Sequence, residues 1–453
     1  MNLILNHLIT FLFKGGTMLK SILTFLSMLL ILTSCSSDST VVQFEPPEDL
    51  ITWLQTNISA DITPIDAPDG YEAAFEISFQ QPVDHNNPTG QQFMQKIFYS
   101  HKGYDQPTVI VINGYAATRN KISELASILD ANQIIVSYRY SINSCPDPID
   151  WTYLTLEQAA NDHHRIVEAF KEIYWGKWIA TGASKGGTDV ACFKRFFPDD
   201  LDAVVAVTAP FPNSNADNRI DEFIYETVGT TDDRNKATTF QRLIIENQDA
   251  IKPMIQADME KYGMPTPFDI DQIFWYSVLE YPFSFWQYGP GDCSIIPGAE
   301  ASVETLFEHF AMVIPFFNFL QISYDYLSSS TYLMATEVGG YSFVTDHLQD
   351  LIDGSVQLPD TDMFAPAGID IVFNPNVMQD IVNWLQVNGD NIIYIYGGVD
   401  PWTATAIETT GSTNSVKIIE PAANHMINLA GLAQSSLIAS TLSEWLGLEV
   451  IIN

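Results

Sequence analysis

The 453-residue chain predicts an α/β fold, a mostly parallel sheet wrapped by helices and carrying an inserted helical cap, on three observations. Short, nearly continuous apolar runs alternate with helix-period segments in the first half. That alternation stops near Pro210 and resumes near Asn391, and the stretch between is helix-like and crowded with aromatic residues. With 46% hydrophobic and 12% aromatic residues the chain can bury a large core, which excludes a disordered or fibrous protein.

The N-terminus comes first. Lys20 precedes an apolar run from Ile22 to Leu32 that ends Leu32-Thr33-Ser34-Cys35. The run is short for a bilayer span and lacks a basic stop-transfer flank, so residues 1–34 read as a signal peptide. Small residues before a cysteine mark where bacterial lipoprotein signals are cut. Cys35 is therefore the expected lipidated N-terminus, and the chain is expected to be exported to the cell envelope, facing the periplasm or the cell surface, with that lipid as its only membrane attachment. Residues 35–70 are polar, with Pro46, Pro47, Pro64 and Pro68, and read as a tether.

A formal charge of −35 argues against nucleic acid as a partner. Beyond Cys35 the cysteines are Cys145, Cys192 and Cys293. Export permits disulfides, and the loop-like settings of Cys145 and Cys293 make those two the candidates for pairing, whereas Cys192 falls in a predicted helix as a small core residue. None has metal-ligand spacing, so neither a metal nor another cofactor is expected.

The first part of the core, residues 71–210, opens with alternation at Phe75-Glu76-Ile77-Ser78-Phe79 and around Gln91 to Tyr99, an antiparallel pair. Apolar runs follow at Thr108 to Ile112, Gln133 to Ser137, Lys177 to Thr181 and Ala203 to Val207, as in strands buried on both faces of a parallel sheet. Between them Lys121 to Leu129, Leu156 to Tyr174 and Lys185 to Phe196 carry helical periodicity. Residues 211–370 form the expected cap, with Phe274-Trp275-Tyr276, Phe283, Phe285-Trp286, Phe316-Phe317 and Phe319. Residues 371–453 complete the core with strands at Ile392 to Tyr396 and Val416 to Ile419 and a last helix from about Asn428 to Trp445.

Gly182-Ala183-Ser184-Lys185-Gly186 lies between a predicted strand and a predicted helix, the context of a nucleophile elbow. A sharp strand-to-helix turn strains the nucleophile, and small residues two positions before and after it avoid clashes. The helix that follows aims its N-terminal amides at the reacting oxygen. Serine needs a base, and the base an acid to hold its tautomer. In a fold of this kind they come in the order Ser, Asp, His. Asp400 follows the strand Ile392 to Tyr396, and His425 follows Val416 to Ile419, so Ser184, Asp400 and His425 are the expected triad. His85 and His101 precede the elbow, His163 and His164 sit within a helix, and His309 and His347 fall in the cap. The oxyanion donors are expected from the Lys185 amide and from Gly114 and Tyr115, just past the strand Thr108 to Ile112. Together these features specify an α/β-hydrolase sheet with an inserted helical cap domain.

These residues resemble the bacterial secreted tripeptidyl aminopeptidases, serine peptidases related to prolyl carboxypeptidases and dipeptidyl peptidases. The resemblance rests on Gln81-Pro82-Val83-Asp84-His85, Ser137-Tyr138-Arg139-Tyr140, Leu156-Glu157-Gln158-Ala159-Ala160-Asn161-Asp162, Lys177 through Gly187, and Asp400-Pro401-Trp402. It implies a peptidase that releases short peptides, typically tripeptides, from free N-termini, often after proline. Trp402 is then either a flat wall for a proline ring or core. The substrate ammonium needs an anion, with Asp217, Asp221, Glu222 and Glu337 as cap candidates; Glu337 lies in Ala335-Thr336-Glu337-Val338-Gly339-Gly340-Tyr341, similar to a cap motif of these peptidases. Asn113 before Gly114 and the bulky, acidic cap depart from the pattern and leave open the length of peptide removed. An esterase or acylase built on the same triad, or a surface lipoprotein that binds peptides without cleaving them, are the alternatives.

Overall fold

A computed structural model describes residues 49–289 and 291–452. The expected signal peptide and Cys35 lie outside the described residues, and no helix among those described is long and apolar enough to cross a membrane.

Among the described residues the body is one nine-stranded sheet: β1 Ala60–Ile65, β2 Ala73–Pro82, β3 Gln92–His101, β4 Thr108–Ile112, β5 Asn132–Val136, β6 Trp178–Ala183, β7 Ala203–Val207, β8 Ile392–Gly397 and β9 Val416–Glu420. Their spatial order is β1-β2-β3-β5-β4-β6-β7-β8-β9. The first three strands are antiparallel to their neighbours, and β4 to β9 run parallel. In β2, Phe75, Ile77 and Phe79 are buried while Glu76 and Ser78 are partly exposed, the alternation of a sheet covered on one side. In β5 and β8 every residue is buried, because helices cover both faces.

Period-two alternation sorts the apolar side chains between those faces. Ile110, Ile112, Ala180, Val204 and Ala206 pack on one side with the helices Leu156–Lys171, Lys185–Phe196 and Pro375–Asn388. Val109, Ile179, Val205, Ile393 and Ile395 pack on the other with Glu124–Ile128 and Ser435–Leu446. Between β7 and β8 the chain leaves the sheet and builds a helical layer with an aromatic core of its own, in which Phe240, Phe274, Phe285, Phe310 and Phe316 are fully buried. Its longest helix, Ile270–Tyr288, starts at a capping box in which Asp269 and Gln272 satisfy each other's backbone N–H.

Two expectations need correction. Residues 50–65, read as part of the tether, form the helix Leu50–Asn57 and strand β1, with Leu54 fully buried. The prolines were misleading because Pro64 sits in an edge strand, where the missing N–H breaks no ladder. Cys145 and Cys293 do not pair: Cys145 is exposed beyond β5, and Cys293 is buried in the aromatic core of the cap layer.

Candidate active site

β6 delivers the chain into a reversal at Ser184, whose φ of 58° and ψ of −129° are strained for any residue with a side chain. The strain is held from several sides. The Ser184 amide donates to the Val207 carbonyl at 2.9 Å, and its carbonyl accepts from Gly187 at 2.8 Å as the helix Lys185–Phe196 begins. Glycine is required on either side of the turn. A Cβ on Gly182 would lie 2.3 Å from the Gly186 carbonyl oxygen, and one on Gly186 would lie 2.4 Å from that of Ile112. The turn is therefore a nucleophile elbow at the C-terminal edge of the sheet.

The Lys185 amide stands at the first helical position, where no carbonyl one turn back can accept it. Its side chain turns inward instead. The ammonium is buried, pairs with Asp189 at 2.8 Å and sits 3.2 Å from the centre of the Tyr138 ring. Burial pulls its pKa down and pushes that of Asp189 up, so this pair anchors the elbow helix rather than a substrate. The loop after β4 passes against the same turn: Gly114, at φ 72°, would place a Cβ 2.6 Å from the Gly186 amide nitrogen. Tyr115 follows, its side chain beside Ser184 and its ring stacked on Tyr326 at 5.8 Å.

Asp400 leaves the end of β8 fully buried. Its Oδ1 accepts from the Trp402 amide at 3.2 Å, and its Oδ2 accepts from His425 Nδ1 at 2.6 Å. His425 Nε2 is buried without a hydrogen-bond partner, so the link to Ser184 Oγ is not closed in this state. Catalytic hydrogen bonds of this type are commonly long before substrate arrives. Two further histidines among the described residues bond an aspartate, His85 with Asp162 and His164 with Asp200, and in each case the aspartate also pairs with a cation, Arg139 or Lys171.

The cap helix Ile270–Tyr288 closes over the histidine. Its last carbonyls lack helical donors; that of Gln287 accepts from the His425 amide at 3.1 Å, and that of Gly289 accepts from Asn424 Nδ2 at 2.9 Å. Tyr288 meets the His425 ring edge-on at 5.7 Å and lies within electrostatic reach of Tyr115, Asp400 and Glu280. Trp402, two residues past Asp400, packs edge-on against Phe283 at 5.1 Å and Tyr341 at 5.6 Å, which stack on each other at 4.0 Å. Trp402 thus lies beside Asp400 and forms part of the cap core.

The cap carboxylates separate by environment. Asp217 is tied to Arg219, which holds its pKa down, and Glu222 is exposed and bonded to Asn218. Glu337 Oε2 accepts from the Leu156 amide at 2.7 Å, at the start of the helix Leu156–Lys171, and burial lifts its carboxyl to about 7. Asp221 is lifted to about 6, chiefly by burial. The sequence reading missed Glu280, Tyr288 and Tyr341. For Glu280 a signal existed: it is the one charged side chain between Asp271 and Asp292, in a run dominated by apolar and aromatic residues.

A model of the family described as PS-10 peptidase S37 matches residues 64–450. The chain belongs to this family. This S37 peptidase is 30% identical over 384 residues to the prolyl tri/tetrapeptidyl aminopeptidase of Streptomyces mobaraensis, the match covering 82% of this chain and 80% of that protein. Among solved structures it is similar to proline iminopeptidase of Mycobacterium smegmatis (12% identity, 81% of this chain and 98% of that one, TM-score 0.40). It is also similar to the Kex1 prohormone-processing carboxypeptidase of Saccharomyces cerevisiae (11% identity, 83% and 93%, TM-score 0.40). The fold is that of the α/β hydrolases, and the enzyme is a serine peptidase.

In this S37 peptidase the segments that carried the resemblance meet behind the elbow. Arg139 and Asp162 are both fully buried, with Nε to Oδ2 at 2.7 Å. His85 Nε2 meets the other carboxylate oxygen at 2.7 Å, and Arg139 also donates to the Val83 and Pro82 carbonyls. Gln158 joins by accepting from the His85 amide and donating to Asp84. A buried charge pair this completely hydrogen-bonded fixes the helix Leu156–Lys171 against β2, β3 and β5, and so the bed on which the elbow helix lies.

Proposed function

We propose that this serine peptidase removes short peptides, chiefly tripeptides, from free N-termini, with proline favoured before the cut bond, through an acyl-enzyme on Ser184. The observation that carries the proposal is the convergence at one sheet edge of a strained Ser184, a His425 held by Asp400 at 2.6 Å, and a cap helix packed on that histidine.

Ser184 Oγ attacks the carbonyl carbon of the residue before the scissile bond while His425 Nε2 takes the hydroxyl proton. Asp400 keeps the Nδ1 proton in place and stabilises the imidazolium. The oxyanion is received by the Lys185 amide and by an amide of Gly114 or Tyr115. Collapse expels the new N-terminus, protonated by His425, and leaves an ester on Ser184; water, deprotonated by the same histidine, hydrolyses it. The aromatic wall of Trp402, Phe283 and Tyr341 suits a flat, apolar ring such as that of proline beside the reacting carbonyl. The S. mobaraensis relative, a prolyl tri/tetrapeptidyl aminopeptidase by name, supports the same specificity. The cap supports an enzyme of chain ends, since its helix Ile270–Tyr288 packs on His425 beside the nucleophile and narrows the approach to it.

The test is a panel of free-amine and N-acetylated peptides, with proline or alanine at positions two to four, whose products are identified by mass. Release of three-residue products from free-amine peptides alone is the expected result. Equal cleavage of acetylated peptides, or turnover of short esters only, would overturn the proposal. We also propose export and anchoring through a lipid on Cys35, supported by Leu32-Thr33-Ser34-Cys35; Cys35→Ser should move the enzyme out of the membrane fraction, and an unchanged distribution would reject the anchor.

A further inference from the structure

The cap helix Ile270–Tyr288 buries one acidic side chain, Glu280, 9% exposed. Its oxygens accept from Ser284 Oγ at 2.8 Å and from the Tyr341 hydroxyl at 2.6 Å. No Lys, Arg or His among the described residues forms an ion pair with it, and burial lifts its carboxyl to about 7. Two hydrogen bonds leave a carboxylate half of its acceptor sites unused. A buried carboxylate without a cation is costly, and in a cleft such a group marks a functional site.

Placement gives the group its meaning. Ser277, Glu280, Ser284 and Tyr288 follow one another at three- and four-residue spacing, which puts them on one face of the helix. Tyr288 ends that face against His425. Tyr341, which donates to Glu280, is stacked on Phe283 and packs on Trp402, next to the triad acid. The Ser277 hydroxyl, one turn from Glu280, is fully buried without a partner. Glu280 lies eight residues before Tyr288, about 12 Å along the axis at about 1.5 Å per residue. An extended tripeptide spans about 10 Å.

Resting on the peptidase reading above, we infer that Glu280 is the anion that binds the substrate's N-terminal ammonium, and that its distance from the Ser184–His425 pair sets the count of three residues released. The incoming ammonium supplies the missing cation, and any proton on Glu280 leaves to solvent as it binds. A dipeptide would reach about 3 Å less far than a tripeptide, and a longer peptide would have to buckle. Asp221, which shares the neighbour Tyr225 with Glu280, adds negative charge on the same side of the cap.

The experiment compares wild type with Glu280→Gln, which preserves shape and one of the two hydrogen-bond acceptors while removing the charge, and with Glu280→Asp. Three quantities are read: kcat and KM on a free-amine tripeptide amide, the same on its N-acetylated form, and the rate of Ser184 labelling by a fluorophosphonate. Glu280→Gln is expected to lower kcat/KM on the free-amine substrate about 100-fold, mostly through KM, with the labelling rate unchanged and two- and four-residue products appearing. Glu280→Asp should recover part of the preference for the free amine. If Glu280→Gln retains the wild-type KM and three-residue products, the inference fails and the peptidase reading stands. If labelling slows as much as turnover, Glu280 is a packing residue, and the inference is again overturned. If wild type itself ignores the free amine, the aminopeptidase reading falls and this inference with it.

Discussion

Asp400 Oδ2 accepts from His425 Nδ1 at 2.6 Å, and the same carboxylate's Oδ1 accepts from the Trp402 amide at 3.2 Å. The acid is thus locked at both oxygens, which fixes the imidazole plane and leaves Nε2 as the free base. Asp400→Asn replaces an acceptor with an amide that stabilises the wrong tautomer. A fall in kcat on the order of 10⁴-fold is expected, with KM little changed, as steady-state kinetics would show. A loss of less than about tenfold would remove Asp400 from the triad.

Gly186 allows the helix after the nucleophile to touch the end of β4. In Gly186→Ala the new methyl would meet the Ile112 carbonyl oxygen at 2.4 Å, so β4 and the Gly114–Tyr115 loop must retreat from the elbow. Loss of one oxyanion donor costs about 10² to 10³ in kcat. That range is expected here, with circular dichroism unchanged; wild-type turnover would show that the loop supplies no donor.

Arg139 and Asp162 form a fully buried pair with His85 at the other oxygen. Arg139→Met strands the carboxylate and should destabilise the fold by about 3–5 kcal/mol. Adding Asp162→Asn should recover part of that, as denaturant titrations would show. Equal losses in the single and double variants would mean that the two residues act separately.

The carboxyl of Glu337 is raised by burial from 4.5 to about 7. Between those values the folded protein holds a proton that the unfolded chain has lost, so this group makes stability fall as pH rises through that window. Glu337→Gln keeps an acceptor for the Leu156 amide and removes the titration. The melting temperature of the variant should gain on wild type between about pH 5 and about pH 8. A constant gap across that range would contradict the shift.

The sheet was legible in the sequence because it depends on local pattern, and the same pattern singled out the residues proposed as the triad. β4, β7 and β8 are nearly continuous apolar runs, and Ser184, Asp400 and His425 each fall shortly after the end of a strand, β6, β8 and β9 respectively. The opening was misread because β1 is an edge strand that tolerates Pro64, so its composition resembled a loop. The ammonium site was not legible for a different reason. Periodicity places a carboxylate on a helix face but does not say what covers that face. Glu337 turns to the Leu156 amide in the body, whereas Glu280 turns to Tyr341 and the aromatic wall beside the triad. Only tertiary packing separates the two.

The most direct test labels the purified enzyme with a fluorophosphonate, maps the adduct by mass, and follows tripeptide release as labelling proceeds, with Ser184→Ala alongside. A single adduct on Ser184, activity lost in proportion to labelling, and no release by Ser184→Ala are the predicted results. Tripeptide release that survives full labelling, or that persists in Ser184→Ala, would contradict the assignment of Ser184 as the nucleophile.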